Sequence, residues 1–327
     1  MGARKPASKT DNVLILGGAG FLGANLVRFC LKQPKVKLTV VDFLDPRLKS
    51  FKENLKDVLA KIKFIKGDIR NADFLRKVVP GQRVIFNCAA QTSHSLSLND
   101  PIFDADVNCI GTLQLLQAVK NYNPEAVVIY TSSSTVLGKT LSDLADENHV
   151  ERPLDIYSAN KSVAEKYHRI FRNVHGLKTV CLRFANLYGP FGKGSPDYGF
   201  VNYFISQAAR GKPITIYGDG AQTRNLMFAD DAIEAMWSAI DNPRLYGETF
   251  FATHHEHHSI KDVAEAIVEV FGRGKVEYIS WPDFKKRIEV GHVLLSSARF
   301  HYLTNWRPKY SLKDGLRLTR LRMLGGK

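Results

Sequence analysis

Strand-sized apolar runs alternate with helix-like patterns along the first half of the chain, and this alternation constrains the fold more than any other feature. It starts at residue 12 with NVLILGG, LGANLVRFCLKQ and KLTVVDF, and it continues through IKFIKGD, NADFLRKVV, RVIFNCAA and AVVIYTSS. Further helices are predicted at FKENLKDVLAK (51–61) and IFDADVNCIGTLQLLQAVKNY (102–122). Parallel neighbouring strands need crossover connections, which are usually helices. The sequence therefore predicts an α/β fold with a doubly wound parallel sheet.

A second region begins after about residue 177, where the rhythm loosens. It contains one more strand pattern (TVCLRFANLYG), a loop rich in Gly and Pro (GPFGKGSPDYG), and shorter strands and helices. We expect residues 11–177 to form the domain around the sheet and residues 178–327 to form mainly a smaller C-terminal α/β lobe. At least one later segment should return to the first domain. Ligands of such sheets bind beyond the carboxyl ends of the strands, where we place the lobe.

The glycine-rich stretch GGAGFLG (17–23) stands directly after the first strand pattern and directly before a helix. Glycine lets the backbone turn tightly and approach a pyrophosphate, while the free N–H groups of the helix start favour negative charge. Asp42 ends the next strand pattern, where its carboxylate can bind the ribose hydroxyls of adenosine. That carboxylate would repel the 2′-phosphate of NADP. The sequence therefore predicts a Rossmann-type domain that binds NAD.

Two later strand ends extend the predicted cofactor site. Asp68, after the third strand, could bind the adenine amino group or could instead cap a helix. CAAQ (88–91) ends the fourth strand in small residues, which leave room for a flat cofactor. The complete set of residues that we expect to bind NAD is Gly17, Gly20, Phe21, Leu22, Gly23, Asp42, Asp68, Ile69, Ala89, Ala90, Gln91, Asn108, Thr131, Tyr157, Lys161 and Phe184.

The helical stretch YSANKSVAEKY (157–167) begins with a candidate catalytic pair. Tyr157 and Lys161 stand at i and i+4 and so share one helix face. A phenol is a poor base at neutral pH because its pKa is near 10, but a nearby ammonium and an oxidised nicotinamide favour its phenolate. Such a tyrosine can remove a proton from an alcohol while hydride leaves for NAD. Alone the pattern is common on solvated helices, but here it follows the glycine loop and the hydroxyl run TSSST (131–135).

GGAGFLG, Asp42, GDI, CAA, TSSSTVLG and YSANK, in this order, resemble the extended short-chain dehydrogenase/reductase family, in particular its NAD-dependent nucleotide-sugar epimerases and dehydratases. LRFANLYGP, ITIYGDGAQTRN and NWRPKYSLKDGL resemble the C-terminal lobe of that family, so the resemblance covers nearly the whole chain. It implies that Ser133, Tyr157 and Lys161 are catalytic. It also implies homodimerisation through two long helices, here near residues 102–123 and 158–174.

The resemblance also implies a reaction. Related dehydratases carry an Asp-Glu pair where this chain has Ser134 and Thr135, and a hydroxyl cannot replace a carboxylate as an acid–base group. We therefore expect 4-epimerisation of a UDP-linked or related nucleotide sugar through a 4-keto sugar. The implied substrate-binding residues are Ser133, Ser134, Asn186, Thr215, Tyr217 and Arg224. Alternatives are C2 epimerisation, dehydration with unusual groups, and a non-catalytic protein that binds NAD or RNA.

Several positions depart from the family pattern or have a simpler interpretation. His292 and residues 296–298 replace acidic positions of many relatives, and Leu137 replaces a customary Tyr. Arg224 could form a surface ion pair with Asp230 or Asp231. The histidine-rich run HHEHH (254–258) lacks the H-E-x-x-H spacing, so we expect no metal there.

Composition excludes some classes of protein and weakens others. The net charge of +14 suggests nucleic acid, but the basic residues are spread over helix faces and the C-terminus, so we do not expect it as a partner. No apolar run approaches the roughly 20 residues that cross a bilayer, and MGARKPASKTDN has no signal-peptide core. The four cysteines lie far apart and are expected to be reduced. A cytoplasmic protein without membrane contacts is the expectation.

Overall fold

The computed structural model describes residues 11–48, 51–282, 286 and 289–325. Its strands, in chain order, are β1 (Asp11–Leu16), β2 (Val36–Asp42), β3 (Lys63–Lys66), β4 (Val84–Asn87), β5 (Val127–Ser133), β6 (Lys178–Phe184), β7 (Asn186–Tyr188), β8 (Ile214–Tyr217), β9 (Thr223–Phe228), β10 (Thr249–Ala252), β11 (His257–Ser259) and β12 (Val276–Ile279).

The helices are α1 (Phe21–Leu31), α2 (Ala72–Val78), α3 (His94–Asn99), α4 (Pro101–Ala105), α5 (Gly111–Tyr122), α6 (Ile156–His175), α7 (Phe200–Ala209), α8 (Ala229–Ser238), α9 (Ile260–Phe271), α10 (Ala298–Thr304) and α11 (Leu312–Met323). No helix among the described residues is both long and apolar enough to span a membrane.

Seven strands form one parallel sheet in the order β10-β6-β5-β4-β1-β2-β3. Alternate residues of β1 point to opposite faces of this sheet, as strand geometry requires. Val13 and Ile15 pack in one apolar cluster with residues of α1 and α8, whereas Leu14 and Leu16 pack in another with residues of α2 and α5. The sheet is therefore covered by helices on both faces, and the predicted α/β doubly wound fold is confirmed.

The second lobe is built from small sheets. One has the order β11-β9-β7 and the other pairs β12 with β8. Their apolar residues pack against α7, α9 and α11 in a cluster of their own. Two strands from beyond residue 177, β6 and β10, lie in the large sheet, so the chain returns to the first domain after it has entered the second lobe.

Three predicted elements differ in the structure. FKENLKDVLAK forms two short 3-10 turns, Lys52–Leu55 and Leu59–Lys61, instead of one helix. Tertiary contacts hold them, since the Asn54 amide donates to the Ala19 carbonyl at 2.8 Å and Arg28 donates to the Asn54 carbonyl. The long helix at 102–122 is interrupted by a π-helical turn at Asp106–Ile110. TVCLRFANLYG divides into β6 and β7, which belong to different sheets.

A buried ion network fastens α6 to the end of the large sheet. The Arg183 guanidinium of β6 donates to both Glu165 oxygens of α6, and it also pairs with Glu151. Ser132 of β5 donates to the same Glu165 carboxylate. Arg183 and Glu165 have side chains only 4% exposed, so neither charge has water as a substitute partner. The network fixes the middle of α6 relative to β5 and β6.

We expect Glu165→Ala to lower the free energy of unfolding by about 3 kcal/mol, because it leaves the buried Arg183 guanidinium without its bidentate partner. Urea unfolding followed by circular dichroism measures the change. Glu125→Ala is the matched control, since the Glu125–Lys178 pair lies at the surface, and its unfolding curve should coincide with that of the unchanged protein. Equal curves for Glu165→Ala and the unchanged protein would contradict the structural role of the network.

Candidate active site

A cavity of about 280 Å³ lies beyond the carboxyl ends of the large sheet. Its lining comes from the β1–α1 turn, the ends of β2 to β6, the start of α6 and the 189–199 loop of the second lobe. The structure brings most of the predicted site residues together here. The predicted residues that line the cavity are Gly17, Gly20, Phe21, Leu22, Gly23, Asp42, Asp68, Ile69, Ala89, Ala90, Thr131, Ser133, Ser134, Tyr157, Lys161, Phe184 and Asn186.

The glycine turn forms one end of the cavity. Gly17 has a φ of +77°, and a Cβ added there would lie 2.6 Å from the backbone of Cys88 and Ala89. A Cβ at Gly23 would lie 2.2 Å from the Gly17 carbonyl oxygen. Gly20 is the N-cap residue of α1 and offers no capping side chain, so the first N–H groups of α1 keep their capacity for an anion. This cradle fits a dinucleotide pyrophosphate.

Asp42 borders the same end and is buried, with its side chain held in place by the backbone. Its carboxylate accepts hydrogen bonds from the amides of Ala19 and Leu44, both at 2.9 Å. Carboxylate oxygens held this firmly beside the glycine turn suit the paired hydroxyls of a ribose. The donor set at this end therefore fits the adenosine half of NAD.

Asp68 also lines the cavity, but its carboxylate is bound by Arg70. The Arg70 guanidinium donates to both Asp68 oxygens at 2.7 to 3.0 Å. The alternative role of Asp68 as a helix cap is wrong, because Asn71 caps α2 by accepting from the Phe74 amide. The contact between Asp68 and adenine stays a prediction.

Tyr157, Lys161 and Ser133 meet at the other end of the cavity. Asp155 caps α6 by accepting from the Ser158 amide at 2.8 Å, and this cap sets where Tyr157 enters the helix. The Lys161 ammonium donates to the Thr131 carbonyl at 2.9 Å and lies 5.9 Å from the centre of the Tyr157 ring. The Ser133 hydroxyl lies within 2.9 Å of the Thr135 hydroxyl. A base, a cation and a hydroxyl donor therefore share one small volume.

Burial makes both titratable groups resist ionisation. It raises the pKa of Tyr157 well above 10, and the charges of Asp104 and Asp155 raise it further, while the contact with the Ser133 hydroxyl opposes them. Burial lowers the pKa of Lys161 from 10.5 to about 8, and the charge of Asp104 opposes that shift. Proton transfer needs the phenolate of Tyr157 and the ammonium of Lys161. Bound ligands must therefore supply part of the free energy that stabilises these charged forms.

Two further groups of this site were not found from the sequence. The His94 ring packs edge-on against the Tyr157 ring with 5.0 Å between centroids, lines the cavity, and donates from Nδ1 to the Asp155 carboxylate. Burial works against the charge of Asp155, yet the hydrogen bond from His94 holds the pKa of Asp155 below its ordinary value. His94 and Asp155 are 61 residues apart, so no local spacing could have revealed the pair.

The second is Asp104, a fully buried carboxylate that corrects the predicted roles of Gln91 and Asn108. Neither of these two residues lines the cavity. The Gln91 amide donates to Asp104 at 2.6 Å and the Asn108 amide donates to it at 3.0 Å. Asn160, next to Lys161, donates to the same carboxylate at 2.7 Å. All three amides therefore satisfy the buried Asp104 carboxylate by hydrogen bonds, and the charge of Asp104 in turn favours the charged form of Lys161.

Three of the predicted substrate residues also lie outside the cavity lining. Thr215 and Tyr217 stand on β8, where the Tyr217 ring packs against Trp281. The Arg224 guanidinium donates to Glu289 at 2.8 Å and to the Gly291 carbonyl. The alternative pairing of Arg224 with Asp230 or Asp231 is wrong, because Asp230 pairs with Arg322 and Asp231 accepts from the amides of Lys309 and Tyr310.

The positions that departed from the family pattern have structural partners. Leu137 is fully buried and packs with Phe251 and Leu295, so it is a core residue and not part of a cavity wall. His292 Nδ1 lies 2.9 Å from the Thr223 hydroxyl. Ser297 accepts from the Thr253 amide at 2.8 Å.

The histidine run brings potential ligand atoms of His254, His255 and Glu256 within 4.8 Å of one another. The His254 and His255 rings stack on each other, and His254 Nδ1 accepts from the Glu256 amide. That nitrogen is committed to the backbone, and the absence of a metal at this run remains our expectation.

Comparisons with known proteins agree with this geometry. The NAD dependent epimerase/dehydratase family matches residues 13–251. A UDP-glucose 4-epimerase of Mycolicibacterium smegmatis is 30% identical over 94% of this chain and 96% of its own length. A CDP-paratose 2-epimerase of Salmonella typhi is 29% identical over 93% of this chain and 96% of its own length. The structure of a UDP-glucose 4-epimerase of Thermotoga maritima with UDP-glucose is similar over 96% of this chain and 99% of that chain, with a TM-score of 0.86 and 26% identity.

The relatives and the solved structure match nearly the whole chain, and the family match at residues 13–251 includes the segments that line the cavity from the glycine turn to the second lobe. The chain is an NAD-dependent enzyme of the nucleotide-sugar type and belongs to the NAD dependent epimerase/dehydratase family.

Proposed function

We propose that the protein is a nucleotide-sugar 4-epimerase that acts on a UDP-linked sugar. The observation that carries this proposal is the composition of the cavity around Tyr157. Of the cavity-lining residues in the described part of the chain, the carboxylates are Asp42 and Asp68, and both lie at the adenosine end. At the tyrosine end the hydroxyls of Ser133, Ser134 and Thr135 take the place of acid–base carboxylates. This set suits oxidation and reduction of one alcohol better than elimination of water.

The chain's own residues then have distinct tasks. Tyr157 removes the proton from the 4-hydroxyl of the sugar and later returns it. Ser133 orients that hydroxyl toward the phenol. Lys161 binds the nicotinamide ribose and stabilises the phenolate of Tyr157. The glycine turn and Asp42 would hold NAD, which would supply the hydride acceptor and donor for the oxidation and reduction at C4.

The choice of a UDP-linked substrate rests on similar proteins. The relative from Mycolicibacterium smegmatis is named a UDP-glucose 4-epimerase, and the similar Thermotoga maritima structure is described with UDP-glucose. Asn186 lies at the cavity wall where β7 of the second lobe begins. Thr215, Tyr217 and Arg224 stand further out on the same lobe, where we propose that they meet the nucleotide rather than the sugar.

We place the reaction in the cytoplasm, since the four cysteines form no disulfide.

His94 favours a second candidate function. An imidazole whose Nδ1–H is bound by a carboxylate keeps Nε2 as a possible proton acceptor. Placed beside Tyr157, it could remove a proton from a carbon next to the 4-keto group, which is the step that dehydration requires. The Salmonella typhi relative, named a 2-epimerase, shows that this family is not restricted to C4.

We also propose a homodimer that pairs the long helices. In the described chain, apolar side chains stay exposed on the outer surfaces of α4 to α6. They include Ile102 at 72% exposed, Ile170 at 52% and Val174 at 67%. Burial of such side chains against a second copy would remove their apolar surface from water.

Tyr157→Phe should lower the turnover of the substrate at least about a hundredfold, because the phenol is the proposed base. The assay incubates the protein and NAD with a panel of UDP-, dTDP-, CDP- and GDP-sugars and reads products by NMR and exact mass. A product of unchanged mass with inverted C4 is expected. Tyr302→Phe is the matched control, since Tyr302 is exposed on α10, and it should keep full activity.

The same incubation in D₂O separates the two candidates. A 4-epimerase returns the hydride it removed, so the product should carry no deuterium on carbon. Deuterium at a carbon next to C4, or loss of water, would contradict the 4-epimerase and assign the second role to His94. That incorporation should then disappear in His94→Gln while oxidation at C4 persists.

Lys161→Met should raise the free energy of unfolding of the ligand-free protein by about 2 kcal/mol at pH 7, because it removes a buried ammonium. Since the pKa of Lys161 is lowered to about 8 in the folded protein, the unfolded chain holds its proton to higher pH. The advantage of the variant is therefore complete below pH 8 and shrinks as pH rises toward 10.5. Urea unfolding at pH 7, 8.5 and 10 measures this difference. A difference that does not change with pH would contradict the buried charge.

Val174→Glu should convert the dimer to a monomer, because the carboxylate would be desolvated in the paired helices. Sedimentation velocity measures the mass of the particle. Leu144→Glu, a change at an exposed apolar residue of a different surface, should leave the dimer intact. A monomeric unchanged protein would show the dimer proposal to be wrong.

A further inference from the structure

The 189–199 loop of the second lobe crosses the mouth of the cavity and is bonded to the first domain. The Tyr198 hydroxyl donates to the Arg47 carbonyl at 2.8 Å, and the Ser95 hydroxyl donates to Asp197 at 3.0 Å. Lys193, earlier in the same loop, donates to the Thr92 hydroxyl at 3.1 Å. The loop is therefore fixed over the site, and it delivers one lysine into the cavity lining.

Lys193 has an environment that a surface lysine would not have. Its ammonium lies 4.1 Å from the centre of the Tyr198 ring. Within the described ranges, no carboxylate lies at ion-pair distance from it, so its partners are a hydroxyl and an aromatic face. Burial lowers the pKa of Lys193 to about 8, and the more distant charge of Asp42 opposes that shift. Lys193 is half-buried, and a cation that is partly shielded from water gains from an anion that arrives with a ligand.

Two ligands of this site carry such an anion, since NAD and a nucleotide sugar both contain a diphosphate. The position of Lys193 distinguishes between them. The 189–199 loop lies against the helix that follows the glycine turn, because the Asn25 side chain of α1 donates to the Pro190 carbonyl at 2.8 Å. The charge of Asp42, at the same end of the cavity, also acts on Lys193. Lys193 reaches the cavity from the second lobe, whereas the amides of α1 reach it from the first. A diphosphate on the glycine turn would thus lie between amide donors on one side and an ammonium on the other.

We propose that Lys193 binds the diphosphate of the dinucleotide, so that the 189–199 loop joins the second lobe to the bound cofactor. The proposal rests on the proposed function only for the identity of the competing ligand, the nucleotide sugar. It assigns to a loop of the substrate lobe a direct part in holding NAD.

Isothermal titration of the purified full chain with NAD, with UDP and with adenosine tests the assignment without any turnover. Lys193→Met should weaken NAD binding about tenfold or more, because it removes a charge-assisted hydrogen bond to phosphate. Binding of UDP should stay unchanged, and so should binding of adenosine, which carries no phosphate. Lys193→Arg should restore most of the NAD affinity, since it restores the charge. Lys212→Met, at an exposed lysine beyond α7, is the control for a change in net charge.

The outcomes are distinct. Weaker binding of UDP with unchanged binding of NAD would overturn the assignment to the dinucleotide and give Lys193 to the sugar nucleotide. Unchanged binding of both would overturn the phosphate role itself. Weaker binding of adenosine together with NAD would show a distorted site and would likewise overturn the proposal. None of these results depends on which sugar the enzyme converts, so a failed 4-epimerase assay leaves the test intact.

Discussion

Parallel pairing of every strand in the large sheet is the constraint on which the rest of the molecule depends. β1 pairs in parallel with both β2 and β4, so the chain must cross back over a face of the sheet before each paired strand. All carboxyl ends of the strands, and the start of α1, therefore meet at one edge. The close approach of Gly17 to the backbone after β4 leaves no room for a side chain there. Because no side chain fits at this turn, backbone amides line the adenosine end of the cavity.

Buried charge is the second physical theme, and the site handles it in two ways. The Asp104 carboxylate is satisfied within the protein by the amides of Gln91, Asn108 and Asn160. The ammonium groups of Lys161 and Lys193 are satisfied only in part, by a carbonyl, a hydroxyl and aromatic faces. Fully satisfied groups serve as scaffold, whereas partly satisfied ones gain free energy when a ligand supplies the missing charge. Asp104 and its amide partners therefore support the structure, whereas Lys161 and Lys193 are left to bind ligands.

Sequence reasoning found the parts of the site that depend on local spacing. The glycine turn, Asp42 and the Tyr157–Lys161 pair each follow from the period of one strand or one helix, and the structure places all of them at the cavity. It could not find pairs made by distant segments. Gln91 and Asn108 look like cavity residues until Asp104 is placed behind them, and the His94–Asp155 pair exists only after α3 has packed against α6. The helix expected at 51–61 failed for a related reason, because contacts of Asn54 with α1 and its preceding turn outweigh a weak amphipathic pattern.

The substrate lobe was the least predictable part, and Arg224 shows why. A guanidinium on a short strand is equally compatible with a phosphate and with a nearby carboxylate, and the sequence pointed to Asp230 and Asp231 as the neighbours. The chain brings in Glu289 instead, from a segment 65 residues away. Among the described residues, Glu289 and the carbonyls of Thr223 and Gly291 take three of the five N–H donors of Arg224, which leaves two for a bidentate phosphate contact. Under the proposed function, an arginine fixed in this way would orient the diphosphate of the nucleotide beyond the cavity lining. Under the same proposal, the end of the cavity lined by Tyr157, Ser133 and His94 determines which carbon of the sugar reacts.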